Sequence, residues 1–209
     1  MVIAIDGPAG AGKSTVARAV AERLGFTYLD TGAMYRCVGL AYDAKGEKTA
    51  GEVAADSRIE FDGDRVLLDG VDVTTRIREP GVSEAASRVA ADPAVRAALV
   101  TQQQAIMAEG DWVAEGRDIG TVVAPDAAVK VFLHADPEER ARRRASQIGL
   151  DVGEVLARQR TRDERDSSAG RSTLEAPNDA TPVDTTGLTL EEVVEQVVVL
   201  AIEAKEVDA

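Results

Sequence analysis

The sequence predicts an α/β fold in which a parallel sheet is covered by helices on both faces. Short and almost wholly apolar segments alternate with amphipathic ones, which is typical of parallel strands buried between helices. The first apolar segment, Val2 to Ile5, ends at a glycine-rich turn, and a helical pattern begins directly after that turn. Sheets of this kind bind ligands at the carboxyl ends of their strands, so polar residues there are the first candidates for a site.

Five short segments are predicted as strands of this sheet: Val2–Ile5, Phe26–Leu29, Trp112–Glu115, Val129–Leu133 and Thr181–Asp184. Residues 57–73 break the pattern, because polar and apolar residues alternate there around two Asp-Gly pairs. This segment is predicted as a small antiparallel meander. Residues 151–172 are unusually dense in charge and form a second excursion from the core.

The helices next to the sheet are predicted from their caps and apolar faces. The first runs from Ser14 to Leu24 and ends at Gly25, which suits the left-handed position after a helix. The run Asp136-Pro137-Glu138-Glu139 begins another helix, with aspartate as the cap and proline at the first helical position. A capping box formed by Thr189 and Glu192 begins the last helix.

Composition excludes several classes of function. A length of 209 residues suits one compact domain with an insertion. The 24 basic and 37 acidic residues give a net charge of −13, which disfavours nucleic acid and anionic membranes as partners. A single cysteine, Cys37, permits no internal disulfide, so a cytoplasmic location is predicted. The first residues do not resemble a signal peptide, and no apolar run approaches the length of a membrane span.

Residues Gly7 to Ser14, GPAGAGKS, match the phosphate-binding pattern G-x-x-x-x-G-K-[ST] at every position. The pattern lies between a predicted strand and a predicted helix, which is the context that a P-loop requires. Lys13 is predicted to reach the β- and γ-phosphates of ATP, and Ser14 to bind Mg²⁺ through its hydroxyl. The residues predicted to surround the ATP phosphates are Gly7, Ala9, Gly10, Ala11, Gly12, Lys13, Ser14 and Thr15.

Asp6 lies at the carboxyl end of the first strand, directly before this loop. Two interpretations stay open for it. It helps to orient a water on Mg²⁺ or the acceptor, or it is an aspartate that forms the turn.

Two further clusters suit a second anion. Asp30 to Arg36 follow the second strand, where Thr31 and Arg36 are candidates to bind a phosphate or a base. After the strand that begins at Trp112, Arg117 is a candidate to bind phosphate, and Asp118 to accept hydrogen bonds from sugar hydroxyls.

A third cluster lies in residues 158–166, where Arg158, Arg162 and Arg165 share one face of a predicted helix. A solvated, salt-bridged helix is the ordinary interpretation of such a run. The adjoining segment Ser167-Ser168-Ala169-Gly170 favours instead a lid that closes over phosphates and adds positive charge.

Five segments in this order resemble the bacterial cytidylate kinase family: GPAGAGKST, LDTGAMYR, EGRDIGTVV, RDERDSS and VDTTGLTLEEV. The similarity runs through essentially the whole chain. It implies an ATP-dependent nucleoside monophosphate kinase that converts CMP or dCMP to CDP or dCDP, and it implies a monomer. The implied fold is a single P-loop domain with a five-stranded parallel core at about 1–40, 85–150 and 175–209, a β-rich monophosphate-binding insert at about 41–84, and a helical lid at about 151–174.

The resemblance also assigns residues to the acceptor nucleotide. Thr31 and Arg78 are implied to lie near the base. Arg36 and Arg117 are implied to hold the acceptor phosphate, and Asp118 and Asp166 to contact the pentose. The residues assigned to CMP in this way are Thr31, Arg36, Arg78, Arg117, Asp118 and Asp166.

Arg162 and Arg165 match lid arginines of the family that meet the phosphates in the closed state. Together with Lys13 they are the predicted catalytic residues. The sequence departs from the family at Ala169, where an arginine is frequent, and Arg171 is the candidate to replace it.

Two other functions also fit a P-loop. A kinase for a small metabolite, of the shikimate or gluconate type, would share the loop but would not need an insert that reads a base. A nucleotide-binding switch would bind ATP and show no turnover that depends on an acceptor. A regulatory GTPase is disfavoured, because the chain lacks the Asn-Lys-x-Asp sequence that reads guanine.

Overall fold

The computed structural model describes residues 1–44, 48–79, 81–168, 176 and 178–207, with the backbone alone described at 162, 165–168 and 207. It contains two compact units. The first, here called the P-loop unit, comprises Met1–Leu29 and Met107–Ala209. The second, the middle unit, comprises Asp30–Ile106.

The sheet of the P-loop unit has five strands in the order β2-β6-β1-β7-β8. Their bounds are β1 Val2–Asp6, β2 Thr27–Asp30, β6 Trp112–Glu115, β7 Val129–His134 and β8 Thr181–Asp184, numbered along the chain. Strand β1 is parallel to both of its neighbours, with Ile5 opposite Glu115 on one side and Asp6 opposite Phe132 on the other. The predicted five-stranded parallel sheet is therefore confirmed, and β1 lies at its centre.

The described part of this unit has four α-helices, and the sequence predicts a cap at the end of one of them and at the start of two others. They are α1 Lys13–Leu24, α6 Pro137–Ile148, α7 Val152–Ser168 and α8 Leu190–Val207, with a short π-helix at Ile119–Val123. Gly25 adopts a left-handed φ of 69° after α1, and the Asp136 side chain accepts hydrogen bonds from the N–H groups of Glu138 and Glu139. Thr189 and Glu192 form the predicted capping box. None of the helices in the described ranges has the length and apolar character needed to cross a membrane.

The core of the P-loop unit is aliphatic, in keeping with a sequence that is only 3% aromatic. The side chains that β1, α1 and α8 bury against each other are branched or small, and burial of each larger one contributes roughly 1.5–3 kcal/mol. Those with no more than 3% exposure include Ile3, Ile5, Val16, Val20, Val193, Val194 and Val197. This packing fixes both elements that flank the glycine-rich loop.

The middle unit contains a three-stranded antiparallel sheet, β3 Ile59–Asp62, β4 Arg65–Leu68 and β5 Val71–Asp72. It confirms the predicted meander. Both Asp-Gly pairs are found where the chain reverses, and Asp69 and Gly70 both have positive φ, at 52° and 79°. Two consecutive positive φ values are the signature of the tight hairpin turn that Asp-Gly favours.

Helices make up the rest of the middle unit: α2 Thr31–Ala44, α3 Ala50–Asp56, α4 Val82–Val89 and α5 Pro93–Ile106, with a 3₁₀ turn at Arg76–Arg78. The sequence analysis does not predict α3, α4 or α5. The predicted bounds of the monophosphate-binding insert and of the lid stay predictions.

Candidate phosphate-binding site

The glycine-rich loop connects β1 to α1, as predicted. Within the described part of the chain, no side chain caps the start of α1, whose N-terminal position is occupied by Gly12. The first N–H groups of a helix have no partner inside the helix and carry a partial positive charge. The loop and helix together therefore present donors that suit the phosphates of a nucleotide.

Gly7 and Gly10 are required by the close approach of other elements to the loop. A Cβ on Gly7 would lie 2.0 Å from the carbonyl oxygen of Leu133 in β7. A Cβ on Gly10 would lie 2.7 Å from Nε2 of Gln159 in α7 and 3.0 Å from the carbonyl oxygen of Arg140 in α6. The loop is thus supported by β7 on one side and by α6 and α7 on another.

Lys13, predicted to contact the ATP phosphates, is 9% exposed and lies at the start of α1. Its Nζ donates a hydrogen bond to the carbonyl oxygen of Pro8, 3.0 Å away. This bond holds the ammonium group at the loop itself. A charged donor in that position is ready to bind the negative charge of a phosphate.

Ser14, the predicted Mg²⁺ ligand, donates a hydrogen bond from Oγ to Oε1 of Glu115 over 2.6 Å. Glu115 is 5% exposed, ends β6, and accepts a longer hydrogen bond of 3.4 Å from the hydroxyl of Tyr28 at the same oxygen. A hydroxyl beside a carboxylate offers the oxygen ligands that Mg²⁺ prefers. The sequence analysis gives Glu115 no role, although an acidic residue that ends an apolar strand is a signal for one.

Asp6 anchors the segment that follows β6. Its two carboxylate oxygens accept hydrogen bonds from the N–H groups of Ile119, at 2.9 Å, and Gly120, at 2.8 Å. Burial raises the pKa of Asp6 to about 6, and these two hydrogen bonds oppose the rise. Of the two interpretations left open, the geometry favours a structural role, although Asp6 orders the loop after β6 and not its own turn.

The raised pKa of Asp6 gives the protein a pH-dependent stability. The folded state holds an extra proton on Asp6 between the ordinary pKa of 3.8 and the folded value of about 6. The stability that Asp6 contributes is therefore complete below pH 3.8 and is lost as the pH rises to about 6. We expect the unfolding free energy of wild type, relative to that of Asp6→Asn, to fall by about 2–3 kcal/mol between pH 4 and pH 7. Urea unfolding of both proteins across this range measures the difference, and parallel pH profiles would contradict the expectation.

Arg140 connects the loop to α7, and the sequence analysis misses it. Its Nη1 donates to the carbonyl oxygen of Ala9 over 2.9 Å and to Oδ2 of Asp163 over 3.0 Å. The Arg140 and Asp163 side chains are only 7% and 9% exposed. Nε2 of Gln159 donates to the carbonyl oxygen of Arg140 at 3.3 Å.

The residues predicted to bind the acceptor belong to both units. In the P-loop unit, Arg117 and Asp118 are half-buried in the turn that Asp6 anchors, and the negative charge of Asp118 adds to the rise in the pKa of Asp6. The structure thus places this pair beside the end of β1.

In the middle unit, Asp30 organises the start of α2. Its Oδ1 accepts from the N–H of Ala33 at 2.8 Å, and its Oδ2 pairs with Nη2 of Arg36 at 2.8 Å. This ion pair orients Arg36, while Thr31 is buried at the first position of α2 and Arg78 is exposed in the 3₁₀ turn. Asp30 begins the predicted cluster of residues 30–36, but its role is not predicted from the sequence.

The predicted lid residues lie partly outside the described residues. Arg162, Arg165 and Asp166 fall within the helical backbone of α7, and their side chains are not described. Ala169 and Arg171 lie wholly outside the described residues. The roles predicted for these five residues stay predictions.

The chain is similar to known proteins along nearly its whole length. A family model described as Cytidylate kinase matches residues 3–203. The chain is 51% identical over 205 residues to the "Cytidylate kinase" of Caldanaerobacter subterraneus subsp. tengcongensis, covering 93% of this chain and 92% of that protein. It is 50% identical over 208 residues to the "Cytidylate kinase" of Carboxydothermus hydrogenoformans, covering 93% of this chain and 94% of that protein. A solved gluconokinase from Sinorhizobium meliloti 1021 shares the fold, with a TM-score of 0.54 at 18% identity over 99% of this chain and 94% of its own.

Proposed function

The chain belongs to the cytidylate kinase family, and on that premise we propose that it transfers the γ-phosphoryl group of ATP to CMP or dCMP. The products are ADP and CDP or dCDP. The observation that carries this function is the P-loop, in which the Lys13 ammonium is held 3.0 Å from the Pro8 carbonyl at an α1 N-terminus without a side-chain cap among the described residues.

In the proposed reaction, a 5′-phosphate oxygen of CMP attacks the γ-phosphorus of ATP in line. A bond forms between that oxygen and the γ-phosphorus, and the bond from the γ-phosphorus to the β–γ bridging oxygen breaks, so that ADP leaves. The attacking atom belongs to the acceptor, so the protein supplies position and charge. Lys13 and the loop N–H groups neutralise and orient the phosphates, and Arg117 is proposed to hold the acceptor phosphate.

Mg²⁺ fits the pair formed by Ser14 and Glu115, which would hold it at the start of α1. When bound, the ion neutralises charge on the phosphate oxygens during transfer. The support for this assignment is the 2.6 Å contact between the Ser14 hydroxyl and a carboxylate that is 5% exposed.

The Glu115→Gln variant tests this assignment. The amide keeps an oxygen that can accept from Ser14 but removes the negative charge, so we expect the Mg²⁺ concentration for half-maximal turnover to rise about 10- to 100-fold. Titration of Mg²⁺ in an ADP-release assay measures the change. Tyr28→Phe is the matched control, because it removes the 3.4 Å contact to the same oxygen and keeps the charge of Glu115, so its Mg²⁺ requirement should stay near that of wild type. An unchanged requirement in Glu115→Gln would refute the assignment.

The substrate is tested by offering CMP, dCMP, UMP, AMP, shikimate and gluconate in turn with ATP and Mg²⁺. We expect strong release of ADP with CMP and dCMP and little with AMP, shikimate or gluconate. Preference for shikimate or gluconate would replace the proposal by a kinase for a small metabolite. ATP binding without turnover on any acceptor would indicate a nucleotide-binding switch.

We further propose that the chain acts as a monomer in the cytoplasm, on small nucleotides and without nucleic acid or membrane partners. The net charge of −13 supports the absence of nucleic acid and membrane partners, and the single cysteine supports the location. The monomer is implied by the family resemblance.

A further inference from the structure

A buried ion pair lies directly behind the phosphate loop. The guanidinium of Arg140 and the carboxylate of Asp163 are 3.0 Å apart, in side chains that are 7% and 9% exposed. Burial removes the hydration of both charges, so such a pair is weak evidence for a role in stability. Among the residues that the structure describes, Nε of Arg140, Oδ1 of Asp163 and Oε1 of Gln159 are also buried without a hydrogen-bond partner. Unpaired buried polar atoms lower stability. The cluster therefore calls for an explanation other than stability.

The same Arg140 Nη1 that meets Asp163 also donates to the carbonyl oxygen of Ala9, at 2.9 Å. The peptide bond between Ala9 and Gly10 is planar and trans, so the Ala9 carbonyl and the Gly10 N–H point in opposite directions. Because Arg140 holds the carbonyl from the side of α6 and α7, the Gly10 N–H is directed away from these helices. Gly10 is one of the residues predicted to donate to the ATP phosphates.

Helix α7 supports this peptide through two side chains on one face. Asp163 acts through Arg140, and Gln159, four residues earlier, donates to the Arg140 carbonyl. Gln159 also lies against Gly10, where an added Cβ would approach its Nε2 to 2.7 Å. Helix α7, which carries the predicted lid arginines, thus contacts the loop through Gln159 directly and through Asp163 by way of Arg140.

We infer that Asp163 is a positioning residue for phosphoryl transfer, which orients Arg140 so that the Ala9–Gly10 peptide presents its N–H to the ATP phosphates. The inference rests on the proposed kinase function. It assigns to the Asp163–Arg140–Ala9 connection an effect on the ATP side of the reaction and none on the affinity for CMP.

The test uses Asp163→Asn in the full chain, which preserves the shape of the side chain and removes its charge. We expect the dissociation constant for ATP, measured by titration calorimetry without CMP, to rise roughly tenfold, the worth of one hydrogen bond to a charged group. The value of kcat/KM for ATP should fall by a similar factor, while KM for CMP stays within about twofold. A purely structural role would instead lower the melting temperature and leave the ATP dissociation constant of the folded fraction unchanged.

The matched control is Glu154→Gln, which removes the partner of Arg158 in an exposed ion pair on the same helix, with side chains 65% and 48% exposed. This variant should bind ATP as wild type does. If Asp163→Asn does not fold, Arg140→Lys gives the same decision, because the lysine side chain ends one bond short of Nη1 and its ammonium cannot occupy the position that contacts both Ala9 and Asp163. Wild-type ATP affinity in a folded Asp163→Asn or Arg140→Lys variant would overturn the inference. Failure of the proposed function would appear separately, as the absence of CMP-dependent turnover in wild type.

Discussion

Turnover of ATP and CMP is expected to fall by about a thousandfold when Lys13 is replaced by alanine. Lys13 is 9% exposed and its ammonium is held at the loop by the Pro8 carbonyl, so we expect it to meet the phosphates without reorganising. Its charge is needed most when negative charge moves onto the leaving ADP, and water cannot replace a positioned donor. The chain should remain folded, because alanine suits a helix position and creates no clash there. Steady-state kinetics together with a thermal melt of the same sample separate the two effects.

Lys48→Ala is the control for the loss of a lysine. Lys48 is half exposed and pairs with Asp56 in the middle unit. Exposed ion pairs contribute little, so this variant should keep wild-type turnover and nearly the wild-type melting temperature. Turnover in Lys13→Ala within about tenfold of wild type would contradict the assigned role of the P-loop lysine.

Gly7→Ala is expected to destabilise the protein by more than about 4 kcal/mol, and the chain is expected to be largely unfolded at 37 °C. Gly7 has a φ of 146°, and an added Cβ would lie 2.0 Å from the carbonyl oxygen of Leu133. Gly7 and Leu133 cannot easily move apart, because the residues directly before them, Asp6 and Phe132, are paired in the parallel ladder between β1 and β7. Urea unfolding followed by circular dichroism measures the loss of stability.

The comparison that isolates the clash is Gly25→Ala. Gly25 also has a positive φ, 69°, but a Cβ there would meet nothing within 4 Å. The expected loss is therefore only the backbone term of about 1–2 kcal/mol. If Gly7→Ala proved no more destabilising than Gly25→Ala, that result would contradict the close approach of β7 to the loop.

The local signals in the sequence predict the P-loop unit well. Apolar runs with sharp ends place all five strands within one residue of their observed bounds, and the caps Gly25, Asp136 and Thr189 act as predicted. The position of the glycine-rich loop between β1 and α1 is also predicted, since its pattern is contiguous and its strand and helix context lies within the same short stretch.

Helices α3 and α4 of the middle unit are not predicted because of their composition. Helices α3 and α4 read AGEVAAD and VSEAASRV, so much of their buried face is alanine. Alanine is common both in protein interiors and on protein surfaces, so a helix face made of alanine gives no clear apolar stripe in the sequence. Only the packing of the folded unit distinguishes its two sides.

The missed site residues depend on contacts between distant parts of the chain. Ser14 and Glu115 are 101 positions apart, and Arg140 lies 131 positions from Ala9. Asp163 lies in a charged run that is typical of a solvated surface, yet its side chain is only 9% exposed. Its partner is on the neighbouring helix, and no periodicity within one helix reveals a buried ion pair of this kind.

The division of the P-loop unit into two stretches of sequence has a consequence for how the protein is made. Ile3 pairs with Val113 on one side and with Val129 on the other, so β1 has neither partner until more than half of the chain has left the ribosome. The middle unit is one uninterrupted stretch, Asp30–Ile106, and we expect it to gain structure first, because its contacts close shorter loops. The glycine-rich loop is translated before the middle unit, but we expect it to reach its final conformation later, once Leu133 lies beside Gly7.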